Sequence, residues 1–395
     1  MKTAILGGGA SGLACAITLK TLCPDMDVTV YEKLPEAGKK LLATGNGRCN
    51  LTNAETDVSF YNGSSSILHT VLDGFDTQKC LRFFDTLGLL TAEEDGRIYP
   101  LSRNAASVRN VLLQELDRLE VPVVTDFAVR SVEKDGHEFV INGTVRADFA
   151  VMALGGKAAS MHGTDGDGYR ILKQLGVRYS PISPALVQLT TDGPTAGELK
   201  GVRVHGVISL FRESGALVAQ ETGEILFTDY GLSGIAAMQL SGDSAVLAKT
   251  EHPYVTLDLC PQLSADELKL YLEDRADRVK EHPRTALLTG LLNDRVAEAV
   301  IKEAGTAPAA LADTIKAFRF PVTGTKGFKD AQVTRGGVPG DELNEHSLES
   351  RRIPGLFFTG ELLDADGLCG GYNLHFAWGS GIYAAKEIAQ HASNP

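Results

Sequence analysis

The sequence predicts an α/β fold with a Rossmann-like domain that is built from both ends of the chain and interrupted by an insertion. Three observations predict it. The apolar run 2–6 leads straight into a glycine-rich turn at 7–12, and a second apolar run, 356–359, also leads to glycine-rich turns. From about residue 187, the residue pattern changes to short strand-like runs separated by glycine and polar turn residues.

The first turn has glycines at 7, 9 and 12 and lies between a strand and a helix predicted over 13–22. In such a unit the first glycine permits a tight turn, the second lets the backbone approach a pyrophosphate, and the third lets the helix pack closely on the sheet. The helix N-terminus favours the phosphate charge. Glu32 follows a second predicted strand, 28–31, where its carboxylate can accept both hydroxyls of an adenosine ribose. The pattern therefore predicts a dinucleotide site.

Further elements follow from the periodicity of apolar residues. Residues 38–53 are too polar and glycine-rich for a helix and too irregular for a strand, so we expect an irregular segment there. The predicted helices are 66–72, 77–87 and 105–119, and the predicted strands are 121–126 and 149–154.

The insertion is predicted to be β-rich first and helical second. Strand-like runs occupy 204–211 and 224–227, and Ser264 with Glu267 forms a capping box that begins a helix. The other predicted elements are helices over 294–304 and 308–318, a strand over 331–334 and a last helix over 374–391. The predicted domains are 1–186 with 324–395 for nucleotide binding, 187–262 for the β-rich insertion and 263–323 for the helical insertion.

Composition excludes several classes of protein. The chain has 38 Lys and Arg residues and 50 Asp and Glu residues, which gives a net charge of −12. It therefore lacks the excess of basic residues that binds a phosphate backbone. We expect no nucleic-acid partner. No apolar stretch is long enough to cross a bilayer, so we expect no membrane association and a cytoplasmic protein. Nothing in the sequence indicates an obligate protein partner.

The six cysteines are scattered and show neither CxxC spacing nor a paired framework. We expect reduced thiols. No cluster of His, Cys and Asp has the spacing of metal ligands, so no metal site is predicted.

A second turn, Gly370-Gly371, precedes the last predicted helix. Such a turn brings backbone amides against a ligand, and a helix N-terminus there can stabilise negative charge on a reduced ring. Two anion-favouring turns at opposite ends of the chain suit a long cofactor with a phosphate middle and a redox ring, namely FAD. The alternative for Gly370-Gly371 is an ordinary tight turn.

These motifs together resemble those of the HI0933-type flavoproteins, a bacterial family also called aminoacetone oxidase or bile-acid-inducible reductase-like oxidoreductases. The resemblance is carried by 7–12 with Glu32, by 39–53 (KKLLATGNGRCNLTN), by 332–338 (QVTRGGV) and by 360–381. It covers the whole chain in order. It implies FAD, bound non-covalently on a nucleotide-binding fold of the glutathione-reductase type.

The resemblance also implies which residues hold the cofactor. Gly7, Gly9, Ser11 and Gly12 would hold the pyrophosphate, Glu32 the ribose, Val129 the adenine edge, and 44–50 the flavin side. The full set of predicted cofactor-binding residues is Gly7, Gly9, Ala10, Ser11, Gly12, Glu32, Lys33, Lys40, Thr44, Gly45, Asn46, Arg48, Cys49, Asn50, Val129, Gly155, Gly360, Glu361, Tyr372, Asn373 and Leu374. Where many relatives have Thr before the Gly-Gly pair, this chain has Cys369.

Two residues are candidates for catalysis. His375 follows the second turn, and a histidine side chain titrates near neutral pH, so His375 is a candidate proton donor. The alternative is a structural histidine in the last helix whose ring nitrogens are hydrogen-bonded within the protein. Cys369 is the second candidate, and a redox pair with Cys49 would need Cα atoms within about 7 Å. Arg48 or Arg335 can hold an anionic substrate, support the cofactor, or form a surface ion pair.

The sequence thus favours an FAD-dependent oxidoreductase that acts by hydride transfer on a small molecule, with reduction of an activated C=C or C=N bond as one reaction. A second full GxGxxG unit is missing, so NAD(P)H would act as a transient donor. One alternative is a flavin amine oxidase that uses oxygen. An alternative of another class is a flavin-carrying RNA-modification or regulatory protein.

Overall fold

The computed structural model describes residues 1–193, 195–279 and 282–393. The strands are β1 (Lys2–Leu6), β2 (Asp27–Tyr31), β3 (Thr52–Asn53), β4 (Tyr61–Gly63), β5 (Thr91–Glu94), β6 (Arg97–Pro100), β7 (Val123–Val124), β8 (Val132–Asp135), β9 (Glu138–Ile141), β10 (Val145–Ala147), β11 (Phe149–Met152), β12 (Ser183–Ala185), β13 (Leu189–Thr191), β14 (Arg203–Phe211), β15 (Leu217–Phe227), β16 (Gly231–Ser233), β17 (Tyr254–Asp258), β18 (Phe318–Thr325), β19 (Val333–Arg335), β20 (Leu356–Phe358) and β21 (Ala365–Gly367). The helices are α1 (Ala10–Leu22), α2 (Ser65–Leu72), α3 (Thr77–Thr86), α4 (Ala105–Arg118), α5 (Asp167–Leu175), α6 (Thr195–Glu198), α7 (Ile235–Gln239), α8 (Ser241–Leu247), α9 (Ala265–Arg278), α10 (Asp294–Ala304), α11 (Pro308–Lys316) and α12 (Tyr372–Ser393).

The chain forms two compact units, one of residues 1–182 with 333 onward and one of residues 183–332. The first unit contains a parallel sheet in the order β20-β11-β1-β2-β7. In β1, β2, β11 and β20 every residue after the first is buried, as expected for a parallel sheet that is covered on both faces, whereas neither residue of the edge strand β7 is buried. Both ends of the chain therefore contribute to one sheet, as the sequence predicts.

Strand β7 is much shorter than the predicted strand 121–126. The carbonyl of Pro122 accepts the amide of Val30 on β2, but proline has no N–H to continue a ladder. The strand therefore reduces to two residues.

The segment after β2 is more regular than expected. Residues Lys39–Gly47 form 3₁₀ turns that are interrupted where Gly45 and Asn46 both adopt φ 55°. The prediction of a wholly irregular segment was therefore wrong for its first part. The left-handed residues explain why no continuous helix forms there.

The second unit contains a closed barrel of six strands in the order β13-β16-β15-β14-β17-β18, together with the helices α6 to α11. The capping box at the start of α9 is confirmed, because the side chain of Ser264 accepts the amide of Glu267 and the carboxylate of Glu267 accepts the amide of Ser264. The sequence pattern did not predict strand β18. Its alternating burial at Phe318, Phe320 and Val322 is typical of a barrel strand, and the predicted boundary at 323 falls inside it.

Helix α12 begins two residues earlier than predicted and packs closely on α1. A Cβ atom at Gly381 would lie 2.2 Å from the carbonyl oxygen of Ser11, so only a glycine permits this approach.

Among the helices in the described ranges, each is too short or too polar to span a bilayer.

Candidate functional site

The glycines at 7, 9 and 12 in the turn after β1 are required for two different reasons. A Cβ at Gly7 (φ 116°) would lie 2.2 Å from the carbonyl oxygen of Ala153, and one at Gly12 would lie 2.0 Å from the carbonyl oxygen of Gly7. These two glycines are required by the packing of the protein itself. A Cβ at Gly9 would meet nothing within 4 Å. The open space in front of Gly9 fits the approach of a pyrophosphate.

The N-terminus of α1 is suited to an anion. Gly9 is its N-cap and provides no side-chain cap, and the first turn carries no acidic residue. The first amides of a helix have no partner within the helix and lie at its positive dipole end. The hydroxyl of Ser11 accepts a hydrogen bond from the hydroxyl of Thr359 over 3.1 Å, so its own O–H, like its backbone amide, can still donate to an anion.

The carboxylate of Glu32 is held rigidly at the end of β2. One oxygen accepts the amide of Gly8 and the other accepts the amide of Leu34, both over 2.9 Å. A carboxylate oxygen has more than one acceptor position, so both oxygens can still accept ribose hydroxyls. This geometry fits the adenosine end of FAD.

The structure does not favour a cofactor contact for Lys33. Its ammonium group lies 3.1 Å from Asp165 and 2.8 Å from Asp167, so its charge is paired within the protein.

Val129 is 5% exposed within the core, so a contact with adenine would come from its backbone. Gly155 adopts φ 71° after β11.

The segment 44–50, which is predicted to lie on the flavin side, has an unusual backbone. Asn46 and Cys49 adopt positive φ values, as do Gly45 and Gly47, and the carbonyl of Thr44 accepts the amide of Cys49 over 3.0 Å. Non-glycine residues in this conformation are uncommon and concentrate at functional sites.

The second turn meets this segment directly. A Cβ at Gly371 (φ 99°) would lie 2.5 Å from the carbonyl oxygen of Thr52 and 2.8 Å from Oδ1 of Asn50. The side-chain amide of Asn53 donates to the carbonyl of Gly370 over 3.0 Å. In the described part of the chain, Oδ1 of Asn50 is buried without a hydrogen-bond partner. Two segments that are more than 300 residues apart therefore form one surface with an unsatisfied acceptor.

The start of α12 is fixed by side chains. Asn373 accepts the amide of Gly367 over 2.9 Å and donates to its carbonyl over 2.7 Å. The hydroxyl of Tyr61 donates to the carbonyl of Tyr372 over 3.0 Å, and Leu374 is partly exposed. The first amides of this 22-residue helix are thus held in one place, where they can stabilise negative charge.

An ion pair connects two segments that are 321 positions apart in the sequence. The ammonium group of Lys40 lies 2.8 Å from the carboxylate of Glu361, whose other oxygen accepts the amide of Thr334 over 2.7 Å. The amide of Gly360 donates to the hydroxyl of Ser380 over 2.9 Å. Lys40 and Glu361 therefore lie together, as expected for members of one site.

Arg48 already has two partners within the protein. Its guanidinium group lies 3.1 Å from Glu94 and stacks 4.5 Å from the ring centre of Tyr99. Of the alternatives that the sequence left open, this geometry favours the ion pair.

The geometry corrects the catalytic assignment of His375. The residue is fully buried, with Nε2 2.8 Å from the carbonyl oxygen of Phe75 and Nδ1 2.8 Å from the hydroxyl of Thr52. Because a carbonyl can only accept, Nε2 carries the proton and Nδ1 accepts from Thr52. Burial lowers the pKa of His375 to about 4, so the ring is neutral. Both nitrogens are used by the protein, and the residue has a structural role.

This role predicts a stability effect that depends on pH. Burial lowers the pKa of His375 from 6.5 to about 4, so the unfolded chain binds the proton more readily than the folded chain. The stability that this difference contributes is complete above pH 6.5, and roughly 3 kcal/mol is lost as the pH falls through about 4. We expect His375→Gln to flatten this pH dependence in chemical unfolding, and to leave both flavin half-reactions unchanged. A large loss of rate in the FAD-loaded variant would contradict this assignment.

The two cysteines near the second turn are poor nucleophiles. Burial raises the pKa of Cys49 to about 12, although a hydrogen bond with Thr44 opposes this shift. Burial also raises the pKa of Cys369. Both are therefore thiols at neutral pH, and the catalytic assignment of Cys369 lacks support because the thiolate is the reactive form.

Comparison with known proteins identifies the family. The family model described as the HI0933-like protein Rossmann domain matches residues 1–387. The chain belongs to the HI0933-like family. Its resemblance to these flavoproteins is thus confirmed along nearly its whole length.

Relatives of this HI0933-like protein include enzymes with two different names. It is 36% identical over 406 residues to the 3-dehydro-bile acid delta(4,6)-reductase of Clostridium scindens, covering 98% of this chain and 99% of the relative. It is 29% identical over 407 residues to the ribosomal RNA dihydrouridine synthase of Escherichia coli, covering 97% of each.

Solved structures confirm the fold. The chain matches a quinol fumarate reductase FrdA variant of Escherichia coli with a TM-score of 0.53 and 17% identity, over 100% of this chain and 71% of that one. It matches the 3-ketosteroid delta1-dehydrogenase of Sterolibacterium denitrificans with a TM-score of 0.51 and 12% identity, over 98% and 99% of the two chains. The HI0933-like protein is therefore an FAD-dependent oxidoreductase with a Rossmann-type FAD-binding domain.

Sequence reasoning missed part of this site. Thr52 and Asn53 bind the second turn and α12, and Trp378 donates to the carbonyl of Leu51 over 3.1 Å. Asp366 on β21 is buried, and the amide of the next residue, Gly367, donates to Asn373 just after the second turn. The only signal for Asp366 in the sequence is its place four residues before Gly370, within the segment 360–381 that carries the family resemblance.

Proposed function

We propose that this protein reduces a carbon–carbon double bond that is conjugated to a carbonyl group of a small molecule, with NAD(P)H as a transient donor. The observation that carries the proposal is the full-length 36% identity to a reductase named for the 4,6 double bonds of a 3-dehydro bile acid. The name dihydrouridine synthase also describes the saturation of a ring double bond beside a carbonyl. The two names share this chemistry.

The site supports such a reaction through its backbone more than through acids and bases. FAD supplies hydride chemistry when it is bound. The amides at the start of α12 and the dipole of that helix favour negative charge at the second turn. His375 is neutral and enclosed, so we propose that the proton comes from solvent or from the substrate.

Anaerobic half-reactions test the proposal. The holoenzyme is reduced with NADH or NADPH and then mixed with a 3-oxo-4,6-diene steroid acid or with the same diene lacking the ketone. We expect reoxidation by the ketone to be faster by about tenfold or more, because only the ketone accepts the developing charge on an oxygen. Equal rates would contradict the proposal. Reduction of the flavin by an amine, followed by reoxidation only by oxygen, would favour the amine oxidase instead.

Ribosomal RNA is a second candidate substrate. The full-length match to the dihydrouridine synthase favours it, whereas the net charge of −12 opposes binding to a phosphate backbone. Incubation of the reduced holoenzyme with unmodified ribosomal RNA, followed by detection of dihydrouridine, distinguishes the two. We expect no dihydrouridine under conditions that convert the conjugated ketone.

A further inference from the structure

A buried carboxylate lies beside the second turn. Asp366 is 2% exposed, and its Oδ2 accepts from the side-chain amide of Asn62 over 3.2 Å and lies 3.4 Å from Nε of Arg335. Within the described residues, its Oδ1 is buried without a hydrogen-bond partner. Burial of an incompletely bonded carboxylate is unfavourable, and it also raises the pKa of Asp366. Stability therefore does not explain this residue.

The guanidinium group beside it is more accessible. The side chain of Arg335 is 18% exposed, whereas that of Asp366 is 3% exposed. A ligand can therefore reach the arginine but not the carboxylate. A guanidinium carries five N–H donors in a fixed plane, so a contact through Nε fixes the orientation of the whole group.

The backbone of Arg335 is anchored to the cofactor segments. The neighbouring Thr334 donates its amide to Glu361 over 2.7 Å, and its hydroxyl accepts the amides of Lys157 and Ala158 over 2.8 and 3.0 Å. Arg335 thus begins next to Glu361 and extends to Asp366. Arg335 therefore connects the segment that contains Glu361 with strand β21, which contains Asp366.

We infer that Arg335 binds the carbonyl oxygen of the substrate and that Asp366 is the positioning residue that orients its guanidinium group. This inference rests on the proposed function. Hydride addition at the carbon β to the carbonyl moves an electron pair to the oxygen, where the guanidinium stabilises the negative charge. A proton from water then adds at the α carbon, so the substrate gains one hydride and one proton. A fixed cation with little access to water is effective in this role.

A double-mutant cycle on the holoenzyme tests both assignments. We expect Arg335→Met to lower kcat/KM for the conjugated ketone about 100-fold and Asp366→Asn to lower it about tenfold. The double variant should lose no more than Arg335→Met alone, because Asp366 acts through the arginine. Arg335→Lys keeps the charge and should recover part of the rate. Binding of the saturated ketone can be measured from the change that it causes in the flavin spectrum. The affinity should fall in the same variants that lose kcat/KM.

Arg146→Met is the matched control, because Arg146 forms exposed ion pairs with Asp135 and Glu138 in the same unit. It should behave as the wild type. Wild-type kcat/KM and ketone binding in Arg335→Met would overturn the assignment of Arg335 alone. Multiplicative losses in the double variant would overturn the positioning role of Asp366. A wild-type holoenzyme that neither binds nor reduces the ketone would overturn the proposed function together with this inference.

Discussion

Replacement of Gly9 by valine should abolish FAD binding without destabilising the apoprotein. A Cβ at Gly9 would meet no protein atom within 4 Å, so the protein itself tolerates the side chain. We expect the pyrophosphate to approach the N-terminus of α1 through the space in front of Gly9. Flavin content after purification and titration of the apoprotein with FAD measure the loss, and thermal unfolding of the apoprotein measures stability. Retention of FAD by this variant would refute the assignment of the first turn.

Gly12→Ala is the matched control for this prediction. A Cβ at Gly12 would lie 2.0 Å from the carbonyl oxygen of Gly7, so the helix must move away from the turn. We expect the apoprotein to lose about 2 kcal/mol or more of its free energy of unfolding. The two glycines of one motif should thus separate into one required by the ligand and one required by the fold.

Gly371→Ala should disrupt the contact between the two flavin-side segments. The new Cβ would lie 2.5 Å from the carbonyl oxygen of Thr52 and 2.8 Å from Oδ1 of Asn50, and the backbone has φ 99°. We expect a loss of about 3 kcal/mol in the free energy of unfolding, from strain and overpacking together. The affinity for FAD should fall about tenfold or more because the start of α12 is displaced.

Gly88→Ala separates the two causes. Gly88 has a similar φ of 77°, but a Cβ there would meet nothing within 4 Å. It should cost only about 1 kcal/mol from backbone strain and leave FAD binding unchanged. Urea unfolding and fluorescence titration with FAD measure both quantities. Equal effects of the two substitutions would mean that the second turn is an ordinary tight turn.

The residues of this candidate site are held by the protein in different ways. Glu32 and Asn373 are fixed by backbone groups, so they are ordered before any ligand binds. Lys40 and Glu361 neutralise each other. With His375 enclosed, charge stabilisation falls to helix N-termini and to Arg335, which are fixed dipoles and a fixed cation that need little reorganisation during a reaction.

Local patterns in the sequence were enough to predict much of the fold, and they carry the prediction of a nucleotide site. The glycines at 7, 9 and 12, the acid at 32 and the capping box at Ser264 are short-range signals, because each depends on the backbone conformation of a few neighbouring residues. The central strands could be predicted because a parallel sheet buries continuous apolar runs. The family resemblance added the segments 39–53 and 360–381, which no periodicity could have assigned to a flavin.

The tertiary structure alone decided how the side chains of the site are used. The sequence could not show that His375 is enclosed between Thr52 and Phe75, that Lys33 pairs with Asp165 and Asp167, or that Asp366 lies beside Arg335. It also missed β18, whose pairing with β13 and β17 closes the barrel. Most of these contacts join residues more than 100 positions apart. Protonation, ion pairing and barrel closure depend on which distant groups are adjacent, and only the folded chain brings them together.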